Sequence, residues 1–302
     1  MNQPLFWILF SLLALLVLAL DLWIVGRRHA VKFREGLAWS LIWIFLAAGF
    51  ALLLYFRYGR GTAMEFSAAY LVEFSLSVDN LFIFFLLFRY FRVPAHLQHK
   101  LLSWGILGVL LMRAAFILLG LELIRMFHWV LYAFGGFLIA SGVQLFRQRK
   151  VGMEVERNPA LRWFRRWIPV TEDYEGEKLL VRRRGLYATP LLLVLLVVET
   201  TDLLLATDSI PAVFAITLNP FIVYTSNVFA VLGLRSLFFV VAGMMEVFVY
   251  LHYGLSLALI FIGAKMLSAD YYPIPTGPSL AIVVGLLAIS VLASLLRSAP
   301  RR

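Results

Sequence analysis

The chain has 302 residues, of which 62% are apolar and only 15% charged, and its mean hydropathy is +0.89. A soluble domain is about half apolar and about a quarter charged, so this chain carries more apolar side chain than a water-facing surface can hide and is expected in a bilayer. The absence of cysteine excludes a disulfide scaffold, thiolate catalysis and soft thiolate metal sites, and the composition excludes a disordered or collagen-like chain. The formal charge of +10 reads as loop charge that sets orientation, not as a nucleic-acid surface.

Apolar windows of about 20 residues, the length a bilayer core requires, fall at 5–25, 37–56, 67–88, 101–121, 127–146, 187–210, 224–248, 254–271 and 278–296. The expected fold is therefore an all-α polytopic membrane protein with nine transmembrane helices. The first window has no basic stretch before it and no small-residue cleavage site; Arg27, Arg28, Lys32 and Arg34 follow it, so it reads as a retained helix. With nine spans, 21 of the 27 Lys and Arg residues fall on one face, three on the other and three inside spans. That asymmetry places the N-terminus outside and the C-terminus in the cytoplasm. The one long loop, 147–186, contains Asn158-Pro159 as a helix start and Pro169 as a stop. Between them Leu161, Trp163, Phe164, Trp167 and Ile168 mix with Arg162, Arg165 and Arg166, the pattern of a helix lying on an anionic inner leaflet. The acids Glu172, Asp173, Glu175 and Glu177 read as a solvated turn that balances these arginines.

Spans 3 to 5 align with spans 6 to 8. Glu73-x5-Asp79-Asn80 matches Asp202-x5-Asp208-Ser209; Arg113, eight residues after Gly105, matches Arg235, eight after Asn227; and Gly142 matches Gly263. A unit with an odd number of spans enters the membrane from opposite sides in its two copies, so two inverted three-helix repeats are expected, the arrangement of many secondary transporters. The implied organisation is a helix pair (1–66), a first repeat (67–146), a cytoplasmic basic loop with an interfacial helix (147–186), a second repeat (187–272), and a last span with a basic C-terminus (273–302).

Apart from Asp270 at the edge of the eighth window, seven acids fall within spans: Asp21, Glu73, Asp79, Glu199, Asp202, Asp208 and Glu246. Each costs roughly 2.5–3.5 kcal/mol at a span centre, and only Arg113, Arg235 and Lys265 lie inside spans to offset them. Either protons keep the acids neutral or bound cations use them as ligands. On a helix Glu73, Ser77 and Asn80 share one face, and Asp202 and Ser209 repeat that spacing. Asp79 and Asp208 lie about 100° away, and reach the same cavity most easily if the helix opens locally; Pro211 offers a cause by leaving the carbonyl of Thr207 without a donor. Oxygen ligands without thiolate suit hard ions such as Mg²⁺, Ca²⁺ or Mn²⁺, and the five histidines sit at span ends or in loops. Arg113 and Arg235 are either countercharges for the acids or snorkelling side chains, and Glu199 is either a further ligand or a proton acceptor.

The stretches Tyr70-Leu-Val-Glu73-Phe-Ser-Leu-Ser-Val-Asp79-Asn80 and Glu199-Thr-Thr-Asp202-Leu-Leu-Leu-Ala-Thr-Asp208-Ser209-Ile-Pro211 closely resemble the TerC family, as do Thr225-Ser-Asn227 through Arg235 and Phe261 to Met266. The resemblance implies a bacterial inner-membrane exporter of Mn²⁺, with Glu73, Asp79, Asn80, Asp202, Asp208 and Ser209 as the transport site. The expected function is secondary transport of Mn²⁺ or a similar divalent ion out of the cytoplasm by alternating access, with protons as a candidate counter-ion. On this reading the chain is no enzyme, holds no permanent cofactor, and meets a metal ion and an anionic inner leaflet but no nucleic acid. The alternative is a non-transporting membrane factor that assists insertion or assembly of other membrane proteins. An intramembrane aspartyl protease is disfavoured because Asp208 lies in no Gly-x-Gly-Asp setting.

Overall fold

The computed structural model describes residues 4–25, 33–147, 169–171, 173–182, 185–244, 250–272 and 274–298. The described residues form helices α1 (Pro4–Val25), α2 (Phe33–Tyr58), α3 (Arg60–Tyr90), α4 (Ala95–Met126), α5 (Val130–Arg147), α6 (Pro190–Phe214), α7 (Pro220–Met244), α8 (Leu251–Leu267) and α9 (Thr276–Ser298). A two-stranded antiparallel hairpin, β1 (Leu180–Arg182) and β2 (Leu186–Ala188), precedes α6. The expected interfacial helix over 158–168, together with Glu172 and Glu246, lies outside the described residues.

Several helices run beyond the apolar windows because a proline or glycine, not the edge of the apolar run, bounds them. Gly59, at φ 88°, is the single residue between α2 and α3, a left-handed position where a side chain is strained. Pro94 precedes α4, and α6 and α7 open on Pro190 and Pro220, where a missing N–H costs nothing. Window six began at 187, but residues up to Ala188 pair as a strand and α6 starts at Pro190. By length and composition, six described helices (α2 to α6 and α9) can cross a membrane, and α7 makes a seventh if its two halves count as one span. The nine sequence windows exceed this number; α8, at 17 residues, is apolar but short. Large apolar side chains such as Phe45, Phe56, Leu111 and Leu296 are exposed on the outer faces, where acyl chains would cover them.

Two apolar cores flank the middle of the bundle. One joins Leu81, Phe84 and Leu87 of α3 to Val194, Val197 and Val198 of α6; the other joins Ala69 and Val72 to Ile210 and Val213. α3 and α6 therefore run antiparallel. α4 runs along α6 in the same direction, since Gly108 meets Glu199, Arg113 meets Asp202 and Gly120 meets Phe214. The most extensive helix contacts are α5 on α8 and α3 on α7. A Cβ added at Gly142 would lie 2.8 Å from the carbonyl of Ser256, and one at Gly263 would lie 2.6 Å from that of Gly135, so α5 and α8 touch through their backbones. Rings of Trp7, Phe10, Phe50, Phe66, Phe221 and Phe229 pack α1 and α2 against α3 and α7.

The segment before α6 forms a strap over the turn between α3 and α4. α3 ends with Arg92 at φ 51°, Val93 N–H donating to Phe88 O at 2.9 Å and Arg92 N–H donating to Arg89 O at 3.2 Å, a Schellman-type stop with arginine where glycine is usual. The carbonyl of Phe91 is taken up by the Tyr174 hydroxyl at 2.9 Å, and burial pushes that phenol up to about 12, so it stays a donor. Lys100 Nζ donates to the Glu177 carboxylate at 2.7 Å and holds it below the ordinary glutamate range. Glu177 is exposed, as a solvated turn requires, and its described partner is Lys100 on α4.

Candidate functional site

Arg113 projects from α4 into the space between α3 and α6. Its Nη1 donates to Glu73 Oε2 at 2.8 Å, its Nε to Asp202 Oδ2 at 3.2 Å and its Nη2 to Asp202 Oδ1 at 3.4 Å. All three residues are 1% exposed. Burying an ion costs several kcal/mol, offset only when it is paired and hydrogen-bonded, and here one planar guanidinium serves carboxylates from two antiparallel helices. With all three ionised the group carries one negative charge in excess, which leaves it receptive to further positive charge.

On either side of this triad lie polar side chains the helices do not themselves satisfy. Elsewhere in α3 and α6, hydroxyls fold back on the helix: Ser67 donates to Ala63 O, Ser75 to Leu71 O and Thr200 to Leu196 O. By contrast the hydroxyls of Ser77 and Ser209 and the amide nitrogens of Asn80 and Asn227 are buried with no hydrogen-bond partner. Buried polar atoms are normally paired, so the two hydroxyls are open to an ion or water, and the two amide nitrogens, which only donate, to a water. Asp208, half-buried, accepts a hydrogen bond of 2.7 Å from Ser141 of α5. Glu199 sits against the bare backbone of α4: a Cβ at Gly108 would lie 2.4 Å from its Oε1 and 2.5 Å from its Oε2, and Oε2 is buried without a partner.

Of the sequence candidates, Glu73, Asp202 and Arg113 come together directly, which makes Arg113 a countercharge and not a snorkelling side chain. Asn80 and Ser209 are buried on the same two helices, and Asp208 is held separately through α5. Asp79 lies in α3 and Arg235 in α7, but their side chains, like that of Asp21, are outside the described ones. Among the described residues no group of three or more histidines and acids is close enough to hold a metal ion. Pro211 does not open α6: the helix runs unbroken from Pro190 to Phe214, and Thr207 and Pro211 line an apolar cavity of about 700 Å³ with Phe116, Phe134 and Phe214. The bend appears in α7 instead, where Pro220–Leu234 and Ser236–Ala242 meet at 53°, across Arg235. Gly233 and Ser236, whose hydroxyl donates back to the Gly233 carbonyl, supply the weak point.

Three participants escaped the sequence reading. Ser141 was readable only as part of a repeat anchor, and Gly108 only as one glycine in an apolar run. Glu65 was missed because the window began at 67, whereas α3 begins at Arg60; its carboxylate accepts from Thr217 at 2.7 Å, next to the end of α6.

Comparison with known proteins shows the family. The model of the integral membrane protein TerC family matches residues 58–302. An "Uncharacterized membrane protein STKORF319" of Myxococcus xanthus is 46% identical over 299 residues, covering 98% of this chain and 94% of its own. The "Putative membrane-bound redox modulator Alx" of Escherichia coli K12 is 44% identical over 300 residues, covering 96% and 94%, and an "Uncharacterized membrane protein" of Rickettsia bellii is 38% identical over 293, covering 96% and 97%. No solved structure matches. A multi-pass helical chain with the paired acidic motifs and relatives of this extent belongs to the TerC family of integral membrane proteins.

Proposed function

We propose that the protein is a secondary transporter that moves Mn²⁺, or a similar hard divalent cation, out of the bacterial cytoplasm in exchange for protons. The observation that carries this reading is the buried meeting of Glu73 and Asp202, equivalent positions of the two acidic motifs, on one arginine. Unpartnered polar groups on the same helices add to it. Asp79, Asp208, Glu73 and Asp202 supply carboxylate oxygens, Asn80 and Ser209 neutral ones, Glu199 is the accessory acid, and Arg113 and Arg235 balance charge.

Inverted repeats are supported by contacts that come in exchanged pairs. Gly142 packs on Ser256 and Gly263 on Gly135, each seven residues before the aligned glycine of the other helix, and α3 lies on α7 as α6 lies on α4. Nine spans in the inner membrane, with the N-terminus outside and the C-terminus in the cytoplasm, complete the reading through the charge asymmetry of the loops. No enzymatic step, resident cofactor or nucleic acid is invoked; the partners are the cation and an anionic inner leaflet. The redox label of the Alx relatives supplies no thiol relay here, because the chain has no cysteine.

The test is Mn²⁺ flux in proteoliposomes. Asp79→Asn and Asp208→Asn keep volume and remove charge, so each lowers flux at least about tenfold while the protein still inserts. Wild-type flux in both variants overturns the reading and favours the assembly-factor alternative.

A further inference from the structure

Arg113 stands where a transported cation would stand. Its three hydrogen bonds occupy Oε2 of Glu73 and both oxygens of Asp202, so a metal ion bound by these carboxylates competes with the guanidinium for the same atoms. A guanidinium displaced into a bundle core cannot remain unpaired, because an isolated buried charge is far costlier than a paired one. It needs a second anion within a side chain's reach.

Glu199 meets that need by position. It precedes Asp202 by three residues on α6, so the two side chains are neighbours about 5–6 Å apart at their Cβ atoms. Its carboxylate rests against Gly105 and Gly108 of α4, the helix that carries Arg113. Side chains on a helix lean towards its N-terminus, and from Arg113 that is the direction of Gly108 and Gly105. Among the described residues Glu199 Oε2 is the only buried carboxylate oxygen without a hydrogen-bond partner. The glycines matter because a Cβ at Gly108, 2.4 Å from Oε1, would push the carboxylate out of this notch.

We propose that Arg113 is a tethered cation with two berths, Glu73 and Asp202 when cargo is absent and Glu199 when cargo holds those two carboxylates. This rests on the cation-transport reading. It adds a charge rule: a divalent ion on Glu73 and Asp202, with Arg113 on Glu199, leaves every one of these charges matched, whereas a monovalent ion leaves one carboxylate charge uncancelled. Glu199 is then a positioning residue that favours divalent cargo without touching it.

A double-mutant cycle tests the exchange without any cargo. Glu73→Gln with Asp202→Asn imitates carboxylates cancelled by a metal ion, and Glu199→Gln is introduced into the wild-type and the neutralised backgrounds. Thermal unfolding in detergent is the readout. In the wild type Glu199→Gln leaves the melting temperature unchanged or raised; in the neutralised background it lowers it by several degrees, because Arg113 loses its last partner. Equal shifts in both backgrounds mean a fixed arginine and overturn the proposal. If the doubly neutralised chain does not fold, the single Asp202→Asn background gives the same comparison at smaller amplitude. Calorimetric titration of the wild-type protein with Mn²⁺ separates the two readings. A sign reversal in the cycle with no Mn²⁺ binding removes the transport reading and keeps the two berths; Mn²⁺ binding with an additive cycle does the opposite.

Discussion

At the scale of single residues, the decisive fact is that Arg113 meets two acids out of reach of water: its side chain is buried and paired with Glu73 and Asp202. Removing one member of a buried ion group costs about 3–5 kcal/mol, since the remainder stays desolvated and unpaired. Arg113→Met keeps the bulk and strands both carboxylates, so unfolding in detergent shifts by that amount; Arg113→Lys recovers only part, because one ammonium cannot reproduce a fork that serves two helices. A methionine variant as stable as the wild type would show that the triad does not hold α3, α4 and α6 together. The sequence named all three members, because charge inside an apolar run is conspicuous and its repeat spacing doubled the signal. Who pairs with whom was not readable: spacing along α3 and α6 says nothing of where α4 places its arginine. Ser141 and Gly108 carry no charge, and their use depends wholly on which helix lies opposite.

Among elements, α5 and α8 show how close packing substitutes for the hydrophobic effect, which gives no drive between helices already in lipid. A Cβ at Gly263 would sit 2.6 Å from the Gly135 carbonyl, a backbone atom that cannot swing aside, whereas nothing lies within 4 Å of Gly136 one position further along α5. Gly263→Ala should therefore destabilise by about 1–3 kcal/mol as the helices are forced apart. Gly136→Ala is the control, neutral or stabilising by about 0.4–1 kcal/mol through a stiffer unfolded chain. Equal melting temperatures for the two variants in detergent would mean that the backbone contact does not hold the pair. Most helices were legible as apolar windows. Their ends were not, because Gly59, Pro94 and Pro220 set them beyond the apolar run and Pro190 sets one inside it. The β1–β2 strap was also hidden, since two three-residue strands leave no periodicity to detect.

For the whole molecule, the antiparallel course of α3 and α6 puts the acids in order along the bundle. Glu199 lies on one side of the triad; Asp208 and then Glu65 lie on the other. The motif spacing made Glu199 and Asp208 legible, but not Glu65, which lies before the apolar window, nor the 53° bend that α7 takes at Arg235. On the proposed transport reading, acids on both sides of a central arginine would let a cation pass from one half to the other as the repeats rock, without ever losing its countercharge. Protons compete with metal for the same carboxylate oxygens, because a metal ligand must be deprotonated and binding releases its proton. On the same reading an alkaline cytoplasmic side would strip the acids and favour capture from within, while an acidic exterior would return protons and favour release. Mn²⁺ efflux from proteoliposomes with an alkaline interior should therefore be faster than from vesicles without a gradient, and a protonophore should bring the two rates together. Flux that is indifferent to a gradient of about two pH units would remove proton exchange from the cycle. The positive charge that replaces the outgoing metal on the carboxylates would then have to come from Arg113 alone.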